Sequence, residues 1–345
     1  MIIEAAAFTD RGLELAQRIR DEILPEEECR VSRPGKSHRE WTKQAFENAD
    51  ALIFVGAAGI AVRSIAPFIQ RKDQDPAVIV MDEGGRFVIP LLSGHIGGAN
   101  ELAEKIAKRL GAICVTTTAT DVNGLFAVDV WAKKQGLFIT DISRIKNVSG
   151  KLLRGETVFC ESEFEIKGTA PAMVELLPEQ KNEGKETSCG LMENRISPDF
   201  RLTVHAHTDQ ALDLVPRTLM LGIGCKRDTP EEKIEHLFEK VFKENNLYKE
   251  AVIGVSSIDV KANEAGLISF CKRHGFSFTT FSAEELKNVQ GEFHGSGFVS
   301  QTVGVDNVCE RSAVCGCQGN LLISKAAEDG VTMAVAEKLY EAEWK

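Results

Sequence analysis

Short apolar runs that alternate with amphipathic helical patterns constrain the fold of this chain more than any other feature of its sequence. Residues 1–8, "MIIEAAAF", and residues 51–56, "ALIFVG", have the composition of buried strands. Between them, Leu13 and Ala16 fall on one face of a helix predicted over residues 10–23. Because this alternation is typical of βα units that stack on a largely parallel sheet, we predict an α/β, doubly wound fold.

The alternation weakens in the middle of the chain and then resumes, which predicts the domain organisation. We expect two doubly wound α/β domains, residues 1–140 and 217–345, joined by a less regular middle segment, residues 141–216. Residues 177–199 within this segment are polar and punctuated by Gly and Pro, which predicts a surface loop.

A capping pattern marks the start of one helix in the last domain. Thr229, Pro230 and Glu232 follow the apolar run "TLMLGIG" and match a capping box with proline at the first helical position. The buried face predicted for this helix consists of Ile234, Leu237, Phe238 and Val241.

Composition and charge exclude two classes of partner. The 345 residues carry a formal net charge of -10, which argues against a general nucleic-acid-binding surface. The longest nearly uncharged stretch, residues 51–62, is too short to cross a bilayer, and the N-terminus lacks the pattern of an export signal. We therefore expect a cytoplasmic protein that binds neither nucleic acid nor membrane, with its nine cysteines as reduced thiols.

Three loops that leave a strand and enter a helix are candidates for binding an acidic ligand. They span residues 56–59, 93–100 and 222–229, and each exposes backbone N–H groups at a helix N-terminus. None contains a complete dinucleotide fingerprint or phosphate-binding loop, so a nucleotide-binding enzyme is the weaker alternative. A cleft for an acidic ligand at the carboxyl ends of strands is the better-supported prediction.

His95 is the residue in these loops that is best suited to proton transfer. An imidazole beside a helix N-terminus tends to stay neutral, and a neutral imidazole can act as a general base toward water. The alternative is a histidine that fills the loop and bonds to backbone groups. A hairpin predicted at the turn of residues 82–85 supplies two nearby carboxylates, Asp82 and Glu83.

Several charged residues lie near predicted strand ends and have two interpretations each. Arg63, one turn into its helix, could hold a carboxylate through both guanidinium nitrogens or could lie on the surface. The same alternatives apply to Lys226, Arg227, Lys261 and Glu264 in the last domain.

Metal binding has little support in the sequence. His205 and His207 alternate on a probable strand, but no third ligand lies near them. Cys309, Cys315 and Cys317 are clustered without paired spacing, which favours ordinary thiols. No serine occupies the nucleophile turn typical of serine hydrolases. We predict no protein-bound metal.

The segment from Gly56 to Ala132, which includes "FVIPLLSGHIGGANELAEKIAKRLGAICVTTTATD", closely resembles the N-terminal region of the CbiG family of anaerobic cobalamin biosynthesis. "LGIGCKRDTPEEKI", "SSIDVKANEAGL", "FVSQTVGVDNVCERSAV" and "NLLISKAAEDGVTMAVAEK" resemble the C-terminal module of this family, which is also similar to the small protein CobE. These segments cover most of the chain in matching order.

The resemblance implies a reaction and a substrate. The substrate would be cobalt-precorrin-5A, a cobalt-bound tetrapyrrole with a lactone that links the ring A acetate to the extruded carbon C20. Water would open the lactone, and the two-carbon fragment would leave as acetaldehyde to give cobalt-precorrin-5B. Cobalt would arrive with the substrate, so no cofactor is expected. Neighbouring pathway enzymes and a second copy of the chain stay open as partners.

Residue roles follow as hypotheses from residue type and from place in the motif. His95 is assigned as the base, and Asp82, Glu83 or Asp121 would orient it or handle a second proton. The N–H groups of Gly97 and Gly98 would stabilise an oxyanion. The other residues expected to bind substrate are Gly56, Gly59, Arg63, Ser93, Gly94, Asn100, Thr117, Gly224, Lys226, Lys261 and Glu264. The main alternative from another class is a non-catalytic carrier that holds the tetrapyrrole between enzymes.

Overall fold

The computed structural model describes residues 1–71, 74–178, 196–291, 293 and 307–344. These residues form two compact units, Met1–Val130 and Trp131–Lys345, which we call unit 1 and unit 2. The finer division predicted at residues 140 and 216 stays a prediction. Residues 179–195 of the predicted surface loop and residues 298–306 of one resemblance motif lie outside the described residues.

Unit 1 is built on alternating strands and helices, as the sequence pattern predicts. Its strands are β1 Ile2–Ala7, β2 Glu28–Ser32, β3 Ala51–Val55, β4 Ala77–Met81, β5 Phe87–Leu92 and β6 Ile113–Cys114. Its helices are α1 Asp10–Arg18, which continues as a π-helical turn through Ile23, α2 His38–Asn48, α3 Ala58–Ile65, α4 Ala99–Leu110, α5 Ala119–Val122 and the start of α6 Val128–Lys134.

The six strands form one mixed sheet in the order β2-β1-β3-β4-β5-β6. Strands β1 to β4 run parallel, β5 runs antiparallel to β4, and β6 runs parallel to β5. The carboxyl ends of β5 and β6 therefore lie at the opposite edge of the sheet from the carboxyl ends of β1 to β4. This reversal separates the predicted site residues into two groups.

Helices cover both faces of this sheet, which is what a doubly wound fold requires. Ile53 and Ile79 pack with α1 and α4 on one face, while Leu52 and Val78 pack with α2 and α3 on the other. Successive residues of a strand point to opposite faces, so a strand buried on both faces has a continuous apolar sequence.

The first part of unit 2 contains a second sheet, in the order β10-β8-β11-β12-β7. Its elements are β7 Phe138–Ile139, α7 Ile145–Leu153, β8 Val158–Ser162, β10 Val174–Leu176, β11 Phe200–Leu202 and β12 Leu212–Val215, and β9 Glu165–Lys167 pairs with the terminal strand β18 Glu341–Glu343. This region is more regular than the sequence suggests, because strands of two to five residues are too short to give a clear alternation.

The last part of unit 2 carries the third sheet, in the order β15-β14-β13-β17-β16. Its elements are β13 Leu219–Cys225, α8 Glu231–Glu244, β14 Val252–Ile258, α9 Ala265–His274, β15 Ser277–Phe281, α10 Ala283–Lys287, α11 Val308–Cys317, β16 Asn320–Glu328 and β17 Val331–Glu337. Helices α8 and α9 pack on one face of the sheet, and α11 packs on the other.

One helix start in unit 2 differs from the prediction. The residue that caps α8 is Pro230, no side chain caps the helix, and the Thr229 hydroxyl donates to the Lys226 carbonyl instead. The capping box predicted at Thr229 and Glu232 is therefore wrong. The predicted buried face of α8 is confirmed, since Ile234, Leu237, Phe238 and Val241 are at most 2% exposed. Among the described residues, no helix combines the length and apolar composition needed to cross a membrane.

Candidate active site

His95 lies in a loop, residues 93–98, that connects β5 to α4 and closes on itself. The N–H of Ala99 donates to the Ser93 carbonyl at 3.1 Å, and the N–H of Asn100 donates to the Gly94 carbonyl at 3.0 Å. A Cβ atom on Gly97 would lie 2.3 Å from Ser93 Cβ, and one on Gly94 would lie 2.6 Å from Asn100 Oδ1. Gly97 is therefore required by the packing of the loop itself, whereas a side chain at Gly94 would displace the Asn100 amide.

Two carboxylates hold the imidazole ring of His95 from opposite sides. Nδ1 lies 3.2 Å from Asp129 Oδ2, and Nε2 lies 3.2 Å from both carboxylate oxygens of Asp121. The side chains of His95, Asp121 and Asp129 are 15%, 28% and 6% exposed. The ring is thus fixed on its buried Asp129 side and accessible on its Asp121 side.

Polar side chains in turn orient Asp121. The Asn100 amide donates to Asp121 Oδ2 and also to the Thr118 hydroxyl, at 3.1 Å. The Thr120 hydroxyl lies 3.5 Å from His95 Nε2. Asn100 is buried at the start of α4, so the helix and the loop together position the carboxylate.

The two carboxylates set the protonation of His95. The hydrogen bond to Asp129 raises the pKa of His95 above its usual value, and the negative charges of both carboxylates outweigh the opposing effect of burial. Burial opposes ionisation of Asp129, but the hydrogen bond and charge of His95 keep the pKa of Asp129 below its usual value. The two carboxylates therefore act against the expected effect of the α4 dipole, which would favour a neutral His95.

This geometry suits the cationic form of the ring at rest. A ring nitrogen can donate to a carboxylate only when it carries a proton, and both nitrogens of His95 face carboxylate oxygens. An imidazolium whose Nε2 proton lies beside an accessible carboxylate can give that proton to a bound ligand and take one back.

Ser93 is strained and incompletely paired. Its φ angle is +55°, in the left-handed region that serine rarely adopts, and such a conformation costs about 1–3 kcal/mol. Its hydroxyl is buried and has no hydrogen-bond partner among the described residues. Strain of this kind persists where the surrounding structure enforces it, and here it lies two residues before His95.

The two proposed oxyanion donors, the N–H groups of Gly97 and Gly98, differ in whether the loop already uses them as hydrogen-bond donors. The N–H of Gly98 donates to the His95 carbonyl at 3.0 Å, so this group is already used inside the loop. The N–H of Gly97 has no acceptor within the part of the chain that the structure describes. Gly97 therefore remains a candidate oxyanion donor, and Gly98 does not.

Asp82 and Glu83 are not near His95, contrary to the sequence-based hypothesis. The predicted hairpin is confirmed, but its turn lies at the far end of β5, about 17 Å along the strand from the His95 loop at roughly 3.3 Å per residue. The Asp82 carboxylate accepts from the N–H groups of Gly84, Arg86 and Phe87, which lower its pKa against the opposing effect of burial. Glu83 accepts from the Thr9 hydroxyl at 2.7 Å.

Three other predicted residues also lie at that opposite edge. Gly56 follows β3, and its N–H donates to the Met81 carbonyl at the end of β4. Gly59 and Arg63 belong to α3, and a Cβ on Gly59 would lie 3.5 Å from the Arg63 guanidinium. The structure therefore does not bring these residues to His95. Thr117 is on the His95 side but is exposed.

Three of the four substrate-binding residues predicted in unit 2 line a cavity, and the fourth has a structural role. Gly224, Lys226 and Lys261 line a cavity of about 600 Å³. Glu264 accepts from Lys261 Nζ at 2.8 Å and from the Thr229 N–H at 3.2 Å, so its carboxylate holds the α8 and α9 connections together.

The histidine and cysteine clusters of unit 2 do not assemble into a metal site. His205 Nδ1 pairs with Glu163 at 2.8 Å, and His207 Nδ1 lies 3.6 Å from Asp213. No group of three or more histidine, cysteine or acidic side chains that could hold a metal ion occurs among the described residues. Cys309, Cys315 and Cys317 are free thiols on α11.

Sequence reasoning missed the buried partner of His95. Asp129 lies 34 residues away along the chain, in the first turn of α6, where an acidic residue has the ordinary explanation of stabilising a helix N-terminus. No spacing pattern links it to His95. Thr118 and Thr120 were also missed, although they lie in the run "TTTATD" that contains Asp121.

Comparisons with known proteins agree with this arrangement of motifs. Residues 40–121 match the family model described as cobalamin synthesis G N-terminal, and residues 219–336 match the one described as cobalamin synthesis G C-terminus. The cobalt-precorrin-5A hydrolase of Salmonella typhimurium is 37% identical over an alignment of 304 positions, which covers 85% of this chain and 83% of that protein. The protein of the same name from Priestia megaterium is 28% identical over an alignment of 352 positions, which covers 96% of this chain and 93% of that protein.

Among solved structures, a cobalamin biosynthesis protein G homolog from Sulfolobus solfataricus covers 97% of both chains at 20% identity, with a TM-score of 0.40. The match to the Salmonella typhimurium protein is close enough and long enough to assign the family. This chain belongs to the cobalamin synthesis G family.

Proposed function

We propose that this chain is a cobalt-precorrin-5A hydrolase that acts in cobalamin biosynthesis. The observation that carries the proposal is the 37% identity to the relative of that name across 85% of the chain. The cluster of His95, Asp121 and Asp129 supplies the proton-transfer groups that such a reaction needs. Cobalt enters as part of the substrate, and the proposed chemistry uses no cofactor held by the protein.

In the first step, water opens the lactone between the ring A acetate and C20. The Asp121 carboxylate accepts a proton from the attacking water, whose oxygen bonds to the acyl carbon. The acyl–oxygen bond then breaks, and the Nε2 proton of His95 goes to the departing oxygen. The N–H of Gly97 is the proposed donor to the oxyanion that forms between these events.

In the second step, the freed hydroxyl group leaves with its two-carbon fragment as acetaldehyde. Neutral His95 takes the hydroxyl proton while the carbon–carbon bond to the macrocycle breaks, and the electron pair of that bond stays on the macrocycle. The proton now on His95 is delivered to the macrocycle carbon, and the proton that Asp121 took from water then passes to Nε2 of His95, which restores the resting imidazolium. One water is consumed, one acetaldehyde is released, and the ring A acetate ends as a free carboxylate with its proton lost to solvent.

Asp129 is a positioning residue in this scheme. Its contact with Nδ1 fixes the plane of the ring and directs Nε2 toward Asp121 and the accessible side. It also favours the imidazolium that the first step requires. The carboxylate itself is buried and does not contact substrate.

The experiment is anaerobic turnover of cobalt-precorrin-5A with an assay of released acetaldehyde. Loss of one general acid–base group typically costs about 10²–10⁴ in rate, so His95→Gln is expected to reduce acetaldehyde release by that factor. His38→Gln is the matched control, since His38 begins α2, where its Nδ1 lies 3.3 Å from the Gly35 carbonyl and its ring meets the Phe8 ring edge-on, without a carboxylate partner among the described residues.

Each outcome bears on the proposal. Full activity of His95→Gln would remove His95 from the mechanism while leaving the reaction in place. Binding of the substrate by intact protein without any acetaldehyde would overturn the hydrolase proposal and favour the non-catalytic carrier.

A further inference from the structure

Unit 2 contains a cavity with an apolar wall and several cations, unlike the His95 cluster of unit 1, in which two carboxylates surround an imidazole. It has a volume of about 600 Å³ and lies at the carboxyl ends of β13 and β14, beside the first residues of α11 and the β16–β17 turn. Strands β13 and β14 are parallel, so their carboxyl ends meet at one edge of the sheet, where α/β proteins commonly bind small ligands.

The wall of this cavity is largely apolar. The wall is formed by side chains from strand ends, a loop, the start of α11 and the β16–β17 hairpin. These are Ile258, Val260, Val308, Ala327 and Val331. Val331 is fully buried beneath the opening, whereas Val260 is 66% exposed at its rim. A ligand that fills such a site buries apolar surface, which requires a ligand with a substantial hydrophobic body.

Cations without a carboxylate partner surround this apolar wall. Lys226, Arg227 and Lys325 line the cavity, and none of them forms an ion pair within the described part of the chain. Lys226 is held in place because its N–H donates to the Gly330 carbonyl and its side-chain stem packs over Gly330. Lys325 is half-buried.

The acidic residues of the cavity do not neutralise these cations. Glu328 pairs with Lys240 at 2.8 Å, and Lys261 is itself paired with Glu264. Asp329 is the one carboxylate that lines the described cavity without such a partner. Three unpaired cations against one unpaired carboxylate leave the site cationic, although the whole chain has a net charge of -10.

We propose that this cavity is a binding site for a carboxylated tetrapyrrole, formed by residues of unit 2 alone. Its apolar wall contacts the macrocycle, and Lys226, Arg227 and Lys325 contact carboxylates at the macrocycle periphery. The identity of the ligand rests on the proposed function, whereas the preference for an apolar polycarboxylate rests on the cavity. Lys325 is a specificity residue that the sequence did not identify, whereas Arg227 was already a candidate because it lies near a predicted strand end.

The test measures binding of cobyrinic acid, a cobalt corrinoid with free peripheral carboxylates, to the intact chain by equilibrium dialysis. Its fully methylated ester has the same macrocycle without the charges. We expect the acid to bind at least about 10-fold more tightly than the ester, because charge-assisted hydrogen bonds to a cation are each worth about that much. Equal binding of acid and ester would overturn the proposal.

Substitutions test whether the cavity is responsible. Lys325→Met is expected to raise the Kd for cobyrinic acid about 10-fold, and Lys325→Arg to restore most of the affinity. Lys272→Met, which removes an exposed lysine of α9 outside the cavity, is the matched control and should bind as the wild type does. Arg227→Gln provides a second variant at an exposed position, where loss of folding is not expected.

These outcomes separate the inference from the proposed function. If the chain releases acetaldehyde but Lys325→Met and Arg227→Gln both bind cobyrinic acid normally, the cavity inference fails and the hydrolase proposal stands. If cobyrinic acid binding depends on Lys325 but no acetaldehyde is released, the hydrolase proposal fails and the cavity inference stands. Displacement of cobyrinic acid by ATP at comparable concentration would also overturn the inference, since it would indicate a general polyanion site.

Discussion

At the scale of single residues, the protonation of His95 gives the sharpest prediction. The hydrogen bond to Asp129 is the largest cause of its raised pKa. A step that requires the imidazolium proceeds below that raised pKa and fails as pH rises through it. Asp129→Asn removes this cause, so the alkaline limb of kcat/KM against pH should move to lower pH, with a smaller loss at the optimum than His95→Gln shows.

The pH profile also has a matched control. Asp82→Asn changes a carboxylate that serves the β4–β5 turn at the other edge of the sheet, and it should leave the alkaline limb in place. If activity instead rises with pH through the titration of His95, the ring acts as a base from its neutral form. That result would contradict the proposed acid role in lactone opening.

The candidate site was predictable where a residue lies in a local motif and unpredictable where folding brings distant residues together. His95 and Asp121 both lie in the glycine-rich and threonine-rich stretch that suggested the site. Asp129 comes to His95 only through the packing of α6. Asp82 and Glu83 were misplaced because a hairpin is readable from sequence, but the edge of the sheet at which its next loop emerges depends on strand order and direction.

At the scale of structural elements, the loop between β5 and α4 depends on its glycines. In Gly97→Ala the added Cβ would overlap the Ser93 Cβ, which cannot move freely because Ser93 is already strained. Overpacking of this kind typically costs about 1–3 kcal/mol, so we expect that loss in the free energy of unfolding, measured by urea denaturation.

The matched variant for this loop is Gly59→Ala. Its Cβ would meet the Arg63 guanidinium at the ordinary distance of 3.5 Å, within helix α3. Alanine is favoured over glycine in a helix by about 0.5–1 kcal/mol, so this variant should be neutral or slightly stabilised. Equal destabilisation by both substitutions would contradict the packing explanation for Gly97.

Helix α11 packs so closely on strand β13 that position 222 also requires a glycine. A Cβ on Gly222 would lie 1.8 Å from the Cys309 carbonyl oxygen and 2.7 Å from the Ala313 nitrogen, so Gly222→Ala would force the helix away from the sheet. We expect a loss of about 1–3 kcal/mol in stability and weaker binding of cobyrinic acid, because Val308 of α11 lines the cavity. Gly150→Ala in α7, where the Cβ meets only the Arg154 side chain at 3.4 Å, is the control and should retain both properties.

The predictability of the elements follows their length and burial. Strands such as β3 and β4, with five consecutive buried residues, and helices such as α4 with a left-handed Gly111 after its last turn, were readable from sequence. The two-residue strands β6 and β7 form only because neighbouring strands offer them hydrogen bonds. The sheet of the middle segment was missed because its strands have only two to five residues, which is too short to show a clear periodicity.

At the scale of the whole molecule, the net negative charge of the chain has to be reconciled with a cavity that binds a polycarboxylate. A chain with a net charge of -10 is a poor general receptor for a polycarboxylate. The cations of the unit 2 cavity are local, however, and Lys325 is half-buried, where solvent and salt screen its charge less than at the surface. The net charge therefore limits which partners bind nonspecifically, whereas the local charges of the cavity determine which specific ligand binds.

The division into two compact units, each with its own hydrophobic core, leads to the last prediction. His95→Gln should abolish most acetaldehyde release yet change the Kd for cobyrinic acid by no more than about twofold, because the residues of the cavity all belong to unit 2. Lys325→Met should weaken corrinoid binding without moving the alkaline limb of the pH profile, since Lys325 shares no partner with His95. In the double variant, the two effects on kcat/KM should add within about 0.5 kcal/mol. A larger coupling, or loss of corrinoid affinity in His95→Gln alone, would contradict the independence of the unit 2 cavity from His95.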